Sequence, residues 1–216
     1  MRWIKIDKDK CTQPSTGMYS DWKPILADEA HHQCVYCAIP EARLGGIRNF
    51  HVEHYRPKSK EEFAALENVI RNLFYSCPIC NTFKGDDWPC EPNVEMSIPC
   101  YLDPGMVDYN AVFHLQQNAE VVGVNISAKY MVEKLFLNRP HLILERRYVL
   151  AQARLSVVKG KLEEDFYKLN QSLRSHANPA ATQLTLEYMN KLNEVVSLFQ
   201  ELSRVIPYRA EDVSRQ

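Results

Sequence analysis

Two pairs of cysteines have the spacing that places two thiolates on one metal ion. Cys34 and Cys37 form the first Cys-x-x-Cys knuckle, and Cys77 and Cys80 form the second. Each knuckle directs two sulfur atoms at a tetrahedral cation about 2.3 Å away, so together they supply four ligands. A site closed by four thiolates leaves no position for substrate or water, and the pattern therefore predicts a structural Zn²⁺ site.

The spacer between the knuckles is longer than in compact zinc sites. Positions 38–76 separate them, whereas about 15–20 residues are usual, so we expect an insert with a structure of its own. An iron site with the same four ligands, two unrelated buried cysteine pairs and a redox dithiol remain alternatives. Cys11, Cys90 and Cys100 lack knuckle spacing and are expected to be ordinary thiols.

The insert and its flanks carry one Glu-His pair and several asparagines, of which Asn72, with Asn68 as the alternative, and Asn81 are the candidates for chemistry. Glu53 and His54 lie in the insert, Asn72 precedes the second knuckle and Asn81 directly follows it. His51 falls outside this order and is interpreted as a surface histidine. Imidazole accepts a proton near neutral pH, and carboxylate and amide oxygens suit hard cations, so these types can support metal-assisted hydrolysis.

Local patterns predict how these residues are positioned. Residues 52–55 read as a short strand and residues 73–77 as a second one. A helix after Cys80 would carry Asn81 and Lys84 on one face and end at Gly85. The expected order is strand, loop, strand, helix.

This arrangement resembles the HNH endonuclease motif on a ββα-metal scaffold braced by a zinc ribbon, over about residues 34–89. Further residues are similar to a bacterial subgroup of HNH proteins associated with Septu and retron anti-phage defence. They are Glu53-His54-Tyr55-Arg56-Pro57-Lys58-Ser59, Asn72-Leu73, Leu102-Asp103-Pro104 and Leu137-Asn138-Arg139, with Leu142 and Arg146. Such proteins are often encoded beside an ABC- or SMC-like ATPase, which the resemblance implies as a partner.

The resemblance also implies roles for the motif residues. His54 is the expected general base and Asn72 the residue that orients its loop. Glu53 and Asn81 are the expected ligands of a catalytic Mg²⁺ or Mn²⁺, because oxygen donors favour these ions over a second zinc. Many HNH proteins have Asp or His where this chain has Glu53, so the metal preference is less well defined there.

Several basic residues are candidates for holding phosphates. Arg56, Lys58 and Lys84 lie near the motif, and Arg147 and Arg154 follow a seven-residue spacing on a predicted long helix. Phosphate contacts position a nucleic acid without reading its sequence. A solvated charged face, or for the long helix a surface that docks an ATPase, is the alternative.

The remainder of the chain is predicted to be mainly helical. Residues 112–115 and 120–124 suit a small hairpin, and Ser127 is expected to cap a helix over 128–137. Apolar residues then recur at three- and four-residue steps over 144–169, despite Gly160, and again over 188–206. Asn178-Pro179 is expected to begin the last helix, and two such helices pair as a hairpin.

The expected fold class is α+β: a small ββα-metal nuclease core with a four-cysteine zinc site, followed by a mainly α-helical part with a long helical hairpin. We expect an N-terminal strand and helix at 1–33, the core at 34–110, and the small hairpin with the helices at 111–216.

Composition limits the remaining function classes. The 216 residues are 45% hydrophobic and 25% charged, with a net charge of −1, which suits a globular chain and gives no general attraction to polyanions. The longest apolar runs are shorter than a membrane span. The first residues lack a secretory pattern, so a cytoplasmic protein is expected.

The leading hypothesis is a metal-dependent HNH endonuclease that cleaves nucleic acid, with DNA as the expected substrate, in an anti-phage defence system. The first alternative is a non-catalytic zinc-ribbon module that binds nucleic acid or an ATPase. The second is a thiol redox protein that uses one of the cysteine pairs.

Overall fold

The computed structural model describes residues 2–93, 95, 97–174 and 179–205, in two compact units, 1–143 and 144–216. In chain order the helices and strands are α1 (Lys23–Glu29), β1 (His51–His54), β2 (Leu73–Ser76), α2 (Pro78–Lys84), α3 (Tyr109–Val112), β3 (Phe113–Leu115), β4 (Val121–Gly123), α4 (Ile126–Lys134), α5 (Pro140–Arg174) and α6 (Pro179–Val205). Short 3₁₀ helices are Glu41–Leu44, Ile47–Asn49, Glu61–Leu66 and Ile70–Asn72. Mixed strands and helices with a helical C-terminal part confirm the predicted fold class.

The strand–loop–strand–helix order is formed by β1, β2 and α2. The strands are antiparallel, with His51 opposite Ser76 and His54 opposite Leu73. Every residue of β2 is buried, which fits its run of apolar and aromatic side chains. The pairing thus places the start of β1 beside the end of β2, which leads into α2, and Lys84 at the end of α2 bonds the carbonyl of His54 at the end of β1.

Helix α2 begins earlier than the sequence predicts. Cys77 occupies the N-cap position, its sulfur accepts the backbone N–H of Cys80 at 3.4 Å, and Pro78 fills the first turn. Proline suits this position because the first N–H groups of a helix have no internal partner. The helix ends at Gly85, whose φ of 51° lies in the left-handed region that glycine tolerates best.

The first unit packs around aromatic side chains from the β1–β2 hairpin and its neighbours. Phe50 stacks on Tyr75 with ring centroids 4.8 Å apart, and Tyr55 meets the edge of Trp88 at 5.0 Å. All four are buried. These contacts tie the residues on either side of β1 to β2 and to the segment after α2.

The N-terminal segment differs from its prediction. Helix α1 is present, but the described residues within 2–33 form no strand. Trp3 donates its backbone N–H to the Asn110 side-chain oxygen at 3.2 Å and accepts from the Asn110 amide nitrogen at 2.8 Å. A side-chain amide therefore takes the bonds that a neighbouring strand would make.

The small hairpin β3–β4 and helix α4 lie in the first unit, whereas the sequence grouped them with the C-terminal helices. The N-cap of α4 is Asn125, whose side-chain oxygen accepts the N–H of Ala128 at 2.8 Å. Ser127, the predicted cap, is buried inside the helix and donates to the carbonyl of Ile98 at 2.6 Å. Both residues can cap a helix, and tertiary contacts decided between them.

The second unit contains most of α5 and all of α6. Helix α5 continues through Gly160, as the apolar pattern predicts. Ala151, Val158 and Leu198 are buried in the unit. The predicted cap Asn178 and the last apolar position, Ile206, lie outside the described residues. Among the helices that the structure describes, none combines the length and apolar character that a membrane span requires.

Candidate metal site and active site

The four knuckle cysteines converge. Their sulfur atoms all lie within 4.8 Å of one another, and all four residues are buried. No other group of three or more His, Cys, Asp or Glu donors converges in this way among the residues that the structure describes. The residues are Cys34, Cys37, Cys77 and Cys80.

Backbone bonds bring the first knuckle to the second. Cys34 and Ala38 close a tight turn, in which the Ala38 N–H donates to the Cys34 carbonyl at 2.8 Å. Val35, the residue after Cys34, donates its N–H to the carbonyl of Tyr75 in β2 at 2.9 Å. Because β2 leads directly into the second knuckle, the spacer is taken up by β1 and its loops while the four sulfurs remain together.

The chemistry of this donor set fits a divalent cation. Burial raises the pKa of the Cys34 and Cys80 thiols, since a thiolate loses its hydration there. A bound cation supplies the charge that lets such thiols ionise, and zinc prefers four sulfur donors in tetrahedral geometry. The four cysteines therefore form a cluster that can hold zinc, because the number, type and closeness of their sulfur donors fit this ion.

A second site lies in a cavity of about 310 Å³ at the other end of β1. Glu53 and His54 from β1 and Asn81 from α2 all line it. Its other lining residues are Tyr19, Val52, Pro57, Lys58, Ser59, Gly85 and Asp86. The structure thus brings the expected base and both expected oxygen donors to one space.

His54 is held in a defined orientation. Its Nε2 lies 3.0 Å from the carbonyl oxygen of Glu67, and its ring meets the edge of the Tyr19 ring with centroids 4.8 Å apart. A carbonyl only accepts, so this contact requires the proton on Nε2 and leaves the lone pair on Nδ1 in the neutral ring. Burial lowers the pKa of His54, which favours the neutral form.

Glu53 is almost fully buried and ion-paired. Its Oε1 lies 2.6 Å from Nζ of Lys84 and accepts the Tyr36 hydroxyl at 3.4 Å. Burial raises the pKa of the Glu53 carboxyl, and the neighbouring Lys84 opposes that rise. Both contacts use Oε1, so Oε2 is the oxygen that can serve a cation in the cavity.

Lys84 departs from its predicted surface role. It is 1% exposed, and besides Glu53 its ammonium donates to the backbone carbonyl of His54 at 2.9 Å. Buried charges require such pairing because they have lost water. The charge of Lys84 is therefore used inside the protein, where it cannot contact a phosphate at the surface.

Asn72 does not line the cavity but braces the chain after β1. Its side-chain oxygen accepts the Arg56 N–H at 2.8 Å, and its amide nitrogen donates to the carbonyls of Arg56 at 3.1 Å and Leu66 at 3.4 Å. Asn72 is buried, so both ends of its amide are used. These bonds join Arg56, two residues after His54, to Leu66 and to Asn72 itself, within the connection between β1 and β2.

The remaining candidate phosphate contacts are placed in two regions. Arg56 forms a two-bond ion pair with Glu91 at 2.8 and 2.9 Å, and Lys58 pairs with Glu67 at 2.7 Å. Arg147 and Arg154 are exposed on α5 in the second unit. Lys58 is the one of these cations that lines the cavity.

Two cavity residues were missed by sequence reasoning. Tyr19 lies far from the motif, yet its hydroxyl accepts from Nζ of Lys58 at 2.8 Å and its ring contacts His54. Asp86 is an exposed carboxylate just after α2. Asp86 directly follows the motif and could have been chosen as a candidate site residue, whereas no sequence spacing indicates Tyr19.

Residues 34–87 match the model of a family described as HNH endonuclease. The matched segment contains both knuckles, all of the β1–β2–α2 unit and the three polar residues that share the cavity. Comparisons with curated proteins and with solved structures gave no significant match. The match supports the HNH family for this segment and implies nuclease activity and a nucleic acid substrate.

Proposed function

We propose that this protein is a metal-dependent HNH endonuclease that hydrolyses phosphodiester bonds of DNA. The observation that carries the proposal is the single cavity lined by Glu53, His54 and Asn81 within the matched segment. The oxygen donors and the neutral imidazole have the chemistry that phosphodiester hydrolysis needs. A four-cysteine zinc site on the same unit supports the scaffold.

His54 is proposed as the general base. With the Nε2 proton held by the Glu67 carbonyl, Nδ1 is the atom that can accept a proton from the attacking water. The Tyr19 ring limits rotation of the imidazole. The pKa of His54, lowered by burial, keeps Nδ1 unprotonated at neutral pH.

Glu53 and Asn81 are proposed to hold Mg²⁺ or Mn²⁺ through Oε2 of the carboxylate and the side-chain amide oxygen. A divalent cation bound there stabilises negative charge on the phosphoryl oxygens and the leaving alkoxide. Lys84 fixes the Glu53 carboxylate from behind, and Lys58 lies at the cavity to attract a phosphate. Asn72 keeps the loop beside His54 in place through its three hydrogen bonds.

Cleavage of supercoiled plasmid DNA with Mg²⁺ or Mn²⁺ tests this function. His54→Ala is expected to lower the rate by about 10²–10⁴-fold, the usual contribution of a general base. His51→Ala is the matched control, because His51 is exposed at the start of the same strand. A folded His54→Ala protein that cleaves as fast as the wild type would sink the assignment of the base.

The biological setting belongs to the same proposal. Resemblance to the Septu- and retron-associated HNH proteins supports a cytoplasmic role in anti-phage defence, with an ABC- or SMC-like ATPase as partner. Co-expression with an ATPase encoded beside this chain, followed by phage plaque counts, tests the role. Protection that is lost with His54→Ala supports it, and protection by the ATPase alone contradicts it.

The same assays distinguish the proposed nuclease from a non-catalytic module that only binds nucleic acid or an ATPase. Such a module predicts DNA binding without cleavage in either metal, with or without the partner. The wild-type protein is therefore assayed both with and without the ATPase partner.

A further inference from the structure

Arg139 contacts the cysteine cluster from outside the matched segment. It lies between α4 and α5, and its Nη2 is 3.4 Å from the sulfur of Cys80 and 3.8 Å from that of Cys77. Both contacts run from a guanidinium N–H to a thiol sulfur that can act as a metal ligand.

The rest of the guanidinium is held by other groups. Nη1 donates to the carbonyls of Leu135 at 2.8 Å and Phe136 at 3.3 Å, at the end of α4. Nε donates to Nε2 of His141 at 3.2 Å. Contacts to three nitrogens leave the planar group one orientation, with Nη2 directed at the sulfurs.

Charge gives this contact its significance. Four thiolates around Zn²⁺ carry an excess of two negative charges, and an arginine beside them offsets one. Hydrogen bonds between charged groups are stronger than neutral ones, and burial reduces screening by water. The contacts fall on the second knuckle, where the Cys77 sulfur also accepts the Cys80 N–H.

We propose that Arg139 is a functional part of the metal site, which lowers the charge of the cluster and holds the two thiolates of the second knuckle in place. Arg139 does not bind the metal; it is a positioning residue that acts through Cys77 and Cys80. The proposal rests on zinc binding by the four cysteines and is independent of the nuclease chemistry at the cavity.

Zinc release from the purified protein into excess chelator tests this proposal. Loss of a residue that supports metal ligands typically weakens metal binding about 10- to 100-fold. We therefore expect Arg139→Met to release zinc faster by a factor in that range. Arg139→Lys keeps the charge without the planar fork and is expected to fall between Arg139→Met and the wild type.

Arg48→Met is the matched control, because Arg48 is an exposed arginine of the 3₁₀ helix Ile47–Asn49 in the same unit. It should release zinc at the wild-type rate. Equal rates for Arg139→Met and Arg48→Met would overturn the proposal.

A spectroscopic readout separates this role from simple bracing of the end of α4. In protein loaded with Co²⁺ instead of zinc, thiolate-to-metal charge-transfer bands report the electron density on the sulfurs. Losing N–H donors and a nearby positive charge should move these bands to lower energy in Arg139→Met. Unchanged bands would mean that Arg139 only braces the helix end, which contradicts the proposal.

The zinc content of the wild-type protein is measured first. A protein without zinc overturns the proposal at its premise, yet leaves plasmid cleavage as a separate test of the nuclease. Conversely, a zinc-loaded protein that fails to cleave DNA leaves the role of Arg139 intact.

Discussion

The cysteine cluster and the Glu53–His54–Asn81 cavity share one β1–β2–α2 unit but differ in donor atoms and in access. The cluster has four buried sulfurs and a guanidinium beside two of them. The cavity has oxygen donors, one imidazole and about 310 Å³ of open space. Helix α2 serves both, since Asn81 lies one turn after Cys77 and donates its N–H to the Cys77 carbonyl at 3.0 Å.

This difference indicates that the cysteine cluster stabilises the fold, whereas the cavity is the place proposed for the reaction. A closed sulfur site has no position left for water, so its contribution is to folding. The proposed oxygen site keeps room for water and phosphate, so we expect it to contribute to the reaction. Substitutions in the two sites should therefore have different signatures, although the residues are close in sequence.

The largest effect is expected from Cys77→Ser. It removes one of four ligands as well as the sulfur that caps α2, and structural zinc sites contribute about 10–16 kcal/mol of binding free energy in small domains. Zinc content and melting temperature should fall together. Cys90→Ser, at a half-buried cysteine outside the cluster, is the control. Unchanged melting in Cys77→Ser would argue against a structural site.

Lys84→Met is expected to follow in size. It leaves the buried Glu53 carboxylate without its partner, and breaking a buried ion pair costs about 3–5 kcal/mol. Chemical denaturation measures the loss. Adding Glu53→Gln should restore much of the stability, because the unpaired charge is then gone. A double variant no more stable than Lys84→Met would mean that the charge of Glu53 is not the cause.

Asn81→Ala should affect the open site and spare the closed one. Loss of a supporting residue typically costs about 10- to 100-fold in metal affinity, and we expect a direct donor to cost no less. The Mg²⁺ concentration for half-maximal cleavage should rise by at least that range, with zinc content unchanged. Thr82→Ala, an exposed neighbour on α2, is the control. A simultaneous loss of zinc would show that the two sites are not separable.

The smallest effect is expected from Asp87→Asn, at a residue that follows α2 and does not line the cavity. Burial raises the pKa of Asp87, but hydrogen bonds from Tyr130 and Tyr101 and the nearby Lys134 outweigh it, so the pKa lies below its ordinary value of 3.8. The ionised group stabilises the fold by about 1 kcal/mol, since it is partly exposed.

Because the folded-state pKa is lowered, this stabilisation is complete above pH 3.8 and is lost as the pH falls through the folded value. The stability difference between wild type and Asp87→Asn should thus be present at pH 7 and shrink in acid. Urea titrations at several pH values measure it. A difference that is constant with pH would rule out the charge as its source.

The sequence was most informative where chemistry depends on residue type and short spacing. Each Cys-x-x-Cys turn brings its own two sulfurs together, and the structure brings the two predicted pairs to one place. Glu53-His54 and Asn81 were identified from motif order. The strands, α2 and the long helices followed from apolar periodicity and from proline and glycine positions.

Roles that depend on burial were beyond such reasoning. The sequence predicted Lys84 to contact a phosphate, and only the packing of α2 on β1 makes it the partner of Glu53. The N-terminal segment was predicted as a strand, but the Asn110 side chain supplies its bonds from more than a hundred residues away. The contacts of Tyr19 with His54 and of Arg139 with the cysteine sulfurs could not be predicted for the same reason, since local sequence patterns do not indicate contacts between distant segments.

By itself, the sequence determined which donor atoms the protein has and in what order they occur, because ligand chemistry and turn geometry are local properties. Tertiary structure alone decided which charges are neutralised inside the fold and which side chains from remote segments complete each site. Desolvation and hydrogen bonding depend on neighbours in space, and those neighbours are chosen only when the whole core packs.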